Sequence, residues 1–266
     1  MSAIEVSDHG TRTAPIPWTA TVVLFAAAGL FLGSAVLQVV ASLQRWVGFR
    51  SSLSEPLSAE DHLYDYYWPY APWEPIGTAA EFFGLGTLVL AVGILVMTIG
   101  VVAIPRTAGS RGVIVALLAI VEIVLASLVA GSFALHGAHA LISGMTGVPS
   151  ALRDSGALGW IGVLGLIILA PIWLRRSWAA AAACMFLIGS TGLGYFVAAF
   201  GIAPKFAGGT SHDTTPWTET VVAASAAATG AALLIAVWAI ARSSRRRDSE
   251  ASNRTAVEAA RDWFDR

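Results

Sequence analysis

Five histidines, a scatter of carboxylates and one isolated glutamate are the residues of this 266-residue chain whose types could do chemistry. His136 and His139 stand three residues apart, which places both imidazoles on one face of a helix. Asp61, His62 and Asp65 crowd one aromatic stretch, and Asp154, His212 and Asp213 follow later in the chain. Imidazole and carboxylate ligands together suit Zn²⁺, Cu²⁺ or non-haem iron. The pattern therefore suggests a metal centre founded on His136 and His139, completed by His62 or His212, with Asp65 and Asp154 as carboxylate ligands. The compact HExxH motif is missing, so the fold has to bring these separate segments together. A haem would need two axial ligands facing each other across a cleft, and these histidines lie at a rim.

Glu122 is a different case. It sits in Ala119-Ile120-Val121-Glu122-Ile123-Val124, inside a long apolar run. An unpaired carboxylate in hydrocarbon is costly, so Glu122 must face other helices and be protonated or paired. No Lys, Arg or His is expected at its depth, which leaves hydroxyls such as Thr87, Thr98, Ser127 and Thr229. One reading is structural, with a neutral Glu122 donating to such a hydroxyl. The other is a proton or cation relay. Glu81 and Gln38, near or inside neighbouring apolar runs, would line the same polar route.

The elements that must position these groups are membrane helices. The chain is 56% hydrophobic and 12% charged, with a mean hydropathy of +0.70, too few charges to cover a soluble surface of this size. Apolar runs cover residues 18–43, 78–104, 112–135, 156–174, 178–202 and 217–241. Each is long enough to cross a hydrocarbon layer of about 30 Å as a helix. The expected fold is an all-α polytopic transmembrane bundle of six spans, with cytoplasmic tails at 1–17 and 242–266 and a membrane domain at 18–241.

Orientation follows from charge. Threaded six times, the chain places 12 of its 16 basic residues on one side, among them Arg106, Arg111, Arg175, Arg176 and the run at Arg245 to Arg247. That side is cytoplasmic by the positive-inside rule, so both termini are inside. His62, His136, His139 and His212 then gather at the outer face. The outer loop 44–77 holds Tyr64, Tyr66, Tyr67, Trp68, Tyr70 and Trp73 among prolines. It is expected to form an aromatic lid, with a short helix over 59–67. Spans one and six open alike, as Pro17-Trp18-Thr19 and Pro216-Trp217-Thr218, a faint trace of an inverted repeat.

Glycines at 84, 86, 93, 189, 192 and 194 indicate close helix contacts, with local unwinding as a second reading. The tail segment 253–264 reads as a separate amphipathic helix capped by Asn253. Cys184 is the single cysteine, so one chain holds no disulfide, CxxC pair or thiolate cluster. The basic run is too short for nucleic acid, and anionic lipid explains it. The bilayer, other membrane subunits or further copies of the chain are the expected partners. The expected location is a plasma membrane, and alanine together with arginine in preference to lysine points to a bacterial source. No phosphate loop, dinucleotide fingerprint or serine elbow names a reaction. The leading functional reading is an accessory subunit of a membrane complex or a small ion-coupled transporter, with Glu122 at its working site. The alternative is a membrane metalloenzyme or redox subunit with its metal at the outer face.

Overall fold

The computed structural model describes residues 18–52, 59–104, 112–152, 156–211 and 213–264; of 156–158, 243–262 and 264 it describes the backbone alone. Its regular structure is helical throughout. Helix α1 spans Trp18–Leu43 and runs on through a π-helical turn, Gln44–Phe49, into Arg50–Ser52. Helix α2 is Ala79–Val102, α3 is Gly112–Thr146 and α4 is Gly156–Leu174. Helix α5 covers Trp178–Ile188 and α6 covers Gly192–Val197, followed by a second π-helical turn, Ala198–Ile202, and the single turn Pro204–Ala207. Helix α7 is Thr218–Phe264.

The helices form a ring. Helix α1 packs on α2, α2 on α3, α3 on α4, α4 on α5, α5 on α7, and α7 returns to α1. Small residues make the tightest seam. On α2, a Cβ at Gly86, Gly93 or Gly100 would press on Ser34 and Gln38, on Phe31, or on Leu24 of α1. The seven-residue spacing keeps these glycines on one stripe, as in a left-handed helix pair. Lipid tails offer no hydrophobic drive for helix association, so such close approach and its dispersion contacts supply the attraction. Leu24, Phe31, Leu90, Ile94, Met97, Leu166, Leu169 and Trp173 fill the centre. Valines, leucines and isoleucines cover the outside, most densely on α3, where Val113, Leu117, Val121 and Val124 are exposed.

Four stretches are each long and apolar enough to cross a bilayer: Trp18–Ser52, Ala79–Val102, Gly112–Thr146 and Thr218–Arg242. Helices α5 and α6 make a fifth if they count as one span bent by 66°. The apolar stretch of α4, Gly159–Leu174, extends about 24 Å as a helix, short of a typical hydrocarbon layer. The chain is thus a polytopic helical bundle with four to five long apolar helices.

Two expectations are corrected, and the local unwinding read from the glycines of the fifth run is found. Residues 59–67 are not one surface helix; 59–60 are 3₁₀-helical and His62–Tyr64 forms a separate 3₁₀ turn, capped by Asp61, whose carboxylate accepts from the Leu63 N–H. Pro69, Pro72 and Pro75 follow within a few residues and stop propagation. The span at 178–202 is not one straight helix. It breaks at Gly189 to Thr191, and the Thr191 hydroxyl caps the next helix by accepting from the Gly194 N–H. The C-terminal segment is no separate helix, because α7 continues through Asn253 to Phe264 without interruption.

Glycine close approach gives a direct test. A Cβ at Gly84 would meet the α3 backbone at Leu141 N and Gly137 O, whereas one at Gly131 meets nothing within 4 Å. Gly84→Ala is expected to destabilise by about 1–3 kcal/mol, as overpacking does. Gly131→Ala should be neutral or stabilising by up to roughly 1 kcal/mol, through lost glycine entropy. Thermal unfolding in detergent compares the two.

Candidate functional site

The end of the bundle that carries residues 59–77 holds most of the polar chemistry. The loop folds down onto the helices. Tyr66, Tyr67, Trp73 and Ile76 are buried against Ala41, Ala79, Phe83 and Val222. The Glu74 N–H donates to Leu63 O at 2.8 Å and closes the loop on itself. Tyr67 reaches deepest: its hydroxyl donates to Ser190 O at 3.2 Å, at the break between α5 and α6. Burial pushes the Tyr67 hydroxyl well above its ordinary range, so it stays a donor. One carbonyl freed by the helix break is thereby satisfied, as an interior demands.

His136 enters this aromatic group. Its ring centroid lies 4.8 Å from that of Tyr67, 4.6 Å from Trp68 and 5.6 Å from Phe83. His139, one turn on, has Nδ1 2.7 Å from Ser150 Oγ and Nε2 3.2 Å from Pro69 O. A carbonyl only accepts, so Nε2 carries the hydrogen and Nδ1 accepts from the serine. The lone pair that a metal would use is already engaged.

Beneath the loop lies a buried charge network. Arg45, in the first π-helical turn, has no solvent exposure. Its Nη1 donates to Glu219 Oε1 at 3.0 Å and lies 3.5 Å from Asp65 Oδ1. Its Nε donates to Ala59 O and its Nη2 to Asp61 O, each at 3.1 Å. Trp46 Nε1 donates to the other Glu219 oxygen at 2.7 Å. Asp65 accepts from the Tyr67 N–H at 3.1 Å, and the Tyr195 hydroxyl lies 3.3 Å from its Oδ2. Burial raises the Asp65 carboxyl above the usual aspartate range, although Arg45 pulls it down. A π-helical turn inserts an extra residue and so redirects side chains; here it turns Arg45 and Trp46 together toward α7.

Outside this network, Asp61, His62 and Asp213 converge. His62 Nδ1 lies 3.1 Å from Asp61 Oδ1 and 3.8 Å from Asp213 Oδ1. Their ligand atoms all lie within 4.8 Å of one another, and the side chains are exposed. Two chain segments supply them, joined where the Thr214 N–H donates to Glu60 O at 3.0 Å. An open cleft of about 380 Å³ adjoins the same segments, lined by Arg50, Glu60, Phe206 and Trp217. Trp217 has φ +70°, a left-handed backbone that bulky residues rarely adopt and that recurs at binding sites.

The opposite end, where the turn between α4 and α5 carries Arg175 and Arg176, holds one more buried pair. Arg176 Nη2 lies 3.0 Å from Glu122 Oε2, both side chains almost fully buried. Arg176 Nη1 also donates to Val102 O and Ile104 O at 3.0 and 2.7 Å, capping the end of α2. The expectation that no cation reaches Glu122 is therefore corrected. Helix α3 extends to Thr146, so Glu122 lies ten residues from Gly112 and 24 from Thr146. It belongs to the arginine end of the bundle rather than to its middle.

The residues proposed for a relay do not meet. Gln38 donates to Ser34 Oγ inside the α1 seam. Glu81 lies in the first turn of α2 and packs beside Gly144 of α3. Gly144 is 22 residues from Glu122 on α3, roughly 33 Å along the helix. Among the proposed metal ligands, the structure joins His62 to Asp61 and Asp213, sets Asp65 against Arg45, and holds His136 and His139 within the loop–helix contact. Asp154 and His212 lie outside the described residues. Arg45 and Glu219 are the partners that sequence reading missed. The available signal was Glu219 in the first turn of an apolar helix, a place that favours an acid.

No protein-family model matches the chain, and neither a curated protein nor a solved structure does.

The Glu122–Arg176 contact predicts a stability effect. Glu122→Gln removes the carboxylate charge from this buried pair and should cost about 3 kcal/mol. The double variant with Arg176→Gln should cost less than the two single losses together, by about 1–3 kcal/mol. Thermal or denaturant unfolding of the four proteins in one detergent measures this cycle.

Proposed function

We propose that this chain is a multi-pass membrane protein that holds a divalent transition metal at its outer face, through His62, Asp61 and Asp213. The convergence of these three side chains from segments about 150 residues apart carries the reading. Two ligand atoms about 2.0–2.1 Å from a tetrahedral ion lie roughly 3.4 Å apart. The imidazole-to-carboxylate separations of 3.1 and 3.8 Å bracket that value. One nitrogen and two carboxylate oxygens suit Zn²⁺, Cu²⁺ or Fe²⁺ more than a soft thiophilic ion. Solvent-facing ligands leave coordination positions for water or substrate, the arrangement of a catalytic or exchanging site rather than a closed structural one. The adjoining cleft supplies room for a small polar molecule beside the metal.

The same reading takes six crossings, both termini inside, and the loop 59–77 outside, in keeping with the arginine bias. Helix α4 completes the sixth crossing with the local bilayer adjusting to its length. Lipid contacts the apolar outer faces, and further copies or other membrane subunits are the proposed protein partners. His212 adjoins Asp213 in sequence and is a further ligand candidate.

Metal titration of the purified full-length protein by calorimetry, with Zn²⁺, Cu²⁺ and Co²⁺ in turn, tests the site. One saturable ion per chain is expected, and His62→Ala and Asp213→Ala should each weaken it by about tenfold or more. Absence of saturable binding would sink the proposal. Binding unchanged in His62→Ala but lost in His136→Ala or His139→Ala would move the metal to the helix pair.

A further inference from the structure

The cleft of about 380 Å³ at the loop end carries one charge of each sign. Arg50 lines it from the far end of the α1 run, and Glu60 lines it from the loop. Both side chains are half-buried. They form no ion pair with each other, and among the described residues neither side chain has a hydrogen-bond or ion-pair partner. The buried charges nearby are treated differently, since Arg45 is met by Glu219 and Asp65. A partly desolvated charge gains from an opposite partner, and in this cleft the protein provides none for either sign.

Both charges stand on anchored backbone. The Arg50 N–H donates to Arg45 O and Val47 O in the π-helical turn. The Glu60 carbonyl accepts from the Thr214 N–H at 3.0 Å, which ties the loop to the 213–217 segment. The rest of the wall suits a small molecule. Phe206 is 77% exposed and offers a ring that gains from being covered. A Cβ at Gly208 or Gly209 would meet nothing within 4 Å, so these glycines leave main-chain groups open to the cleft. Trp217 lines the cleft from its left-handed backbone at φ +70°, local strain of the kind that clusters at ligand sites.

We infer that this cleft binds a small zwitterion of the free amino-acid type. Its carboxylate meets Arg50, its ammonium meets Glu60, and its apolar side chain lies against Phe206 and Trp217. A guanidinium fork matches a carboxylate in geometry and charge. A carboxylate and the faces of aromatic rings both attract an ammonium. A purely anionic or purely cationic molecule would satisfy one wall and meet like charge at the other. The volume falls at the small end of ligand pockets, which suits a single amino acid better than a peptide. The inference takes the cleft beside the proposed metal but needs no ion. Neither Arg50 nor Glu60 belongs to the ligand set, and metal-free protein tests it.

The experiment is a calorimetric titration of the full-length protein in detergent, with chelator present throughout. Three probes share one carbon skeleton: L-leucine, L-leucinamide, which lacks the carboxylate, and 4-methylpentanoate, which lacks the ammonium. One saturable L-leucine per chain is expected, with each of the other probes bound about tenfold or more weakly, as the loss of a charged contact implies. Arg50→Gln should weaken L-leucine by about tenfold and should not weaken L-leucinamide. Glu60→Gln should weaken L-leucine by about as much and should not weaken 4-methylpentanoate. Phe206→Ala should weaken all three. Absence of saturable L-leucine binding, equal binding of the three probes, or a charge variant that lowers all three alike would each overturn the assignment. If a charge variant does not fold, the three probes on the wild type decide the matter between them.

Discussion

Arg45 carries a full positive charge to a place that water does not reach, and the loop end of the bundle is built around satisfying it. A buried guanidinium is tolerable only when its fork of N–H groups finds acceptors and its charge finds a counter-ion. Arg45 draws these from Ala59 and Asp61 in the loop, from Asp65, and from Glu219 at the head of α7. The same contacts fix how the loop sits on the helices. They hold Asp61 and His62 beside the 213–217 segment, where the exposed ligand cluster forms.

Elsewhere the bundle obeys a related constraint, that backbone polar groups in an apolar interior need partners. The break between α5 and α6 frees carbonyls, and the loop answers with the Tyr67 hydroxyl on Ser190 O. The last carbonyls of α2 have no helical partner, and Arg176 caps that of Val102, together with Ile104 O just beyond the helix, while meeting Glu122. The two buried arginines thus work at opposite ends in the same manner: one guanidinium closes main-chain carbonyls and pairs with an acid from another helix. At the Glu122 end the pair is tied into the helix contacts, which speaks for an architectural part. At the loop end Asp65 keeps partial contact with solvent. Between them the helices meet through glycine and alanine, and the seven-residue glycine stripe of α2 against α1 sets their separation.

Much of the fold was legible in the sequence. The bounds of α1 and α4 follow directly from the apolar runs, and α2 departs from its run by one or two residues. The break in the fifth run was signalled by Gly189, Gly192 and Gly194. The ends of α3 and α7 were less legible, because both helices continue beyond the apolar segment into polar sequence that remains helical. Of the residues read as metal ligands, His62 lies beside Asp61 and Asp213, neither of which belongs to the set read from the sequence. His136 and His139 share a helix end as the spacing implied, yet serine, proline and aromatic rings surround them. Sequence spacing fixes which residues of one helix lie together; it says nothing of what a loop lays over them.

The sequence by itself determined that this is a helical membrane protein, because runs of apolar residues leave the backbone only its own hydrogen bonds in lipid. It also determined where glycine lets helices meet. Tertiary structure alone decided the charge partners. Arg45 and Glu219 are 174 residues apart, and Glu122 and Arg176 are separated by a helix and a turn. An ionisable side chain takes its state from whatever the fold brings within a few ångströms, and that distance is not written in the order of the chain.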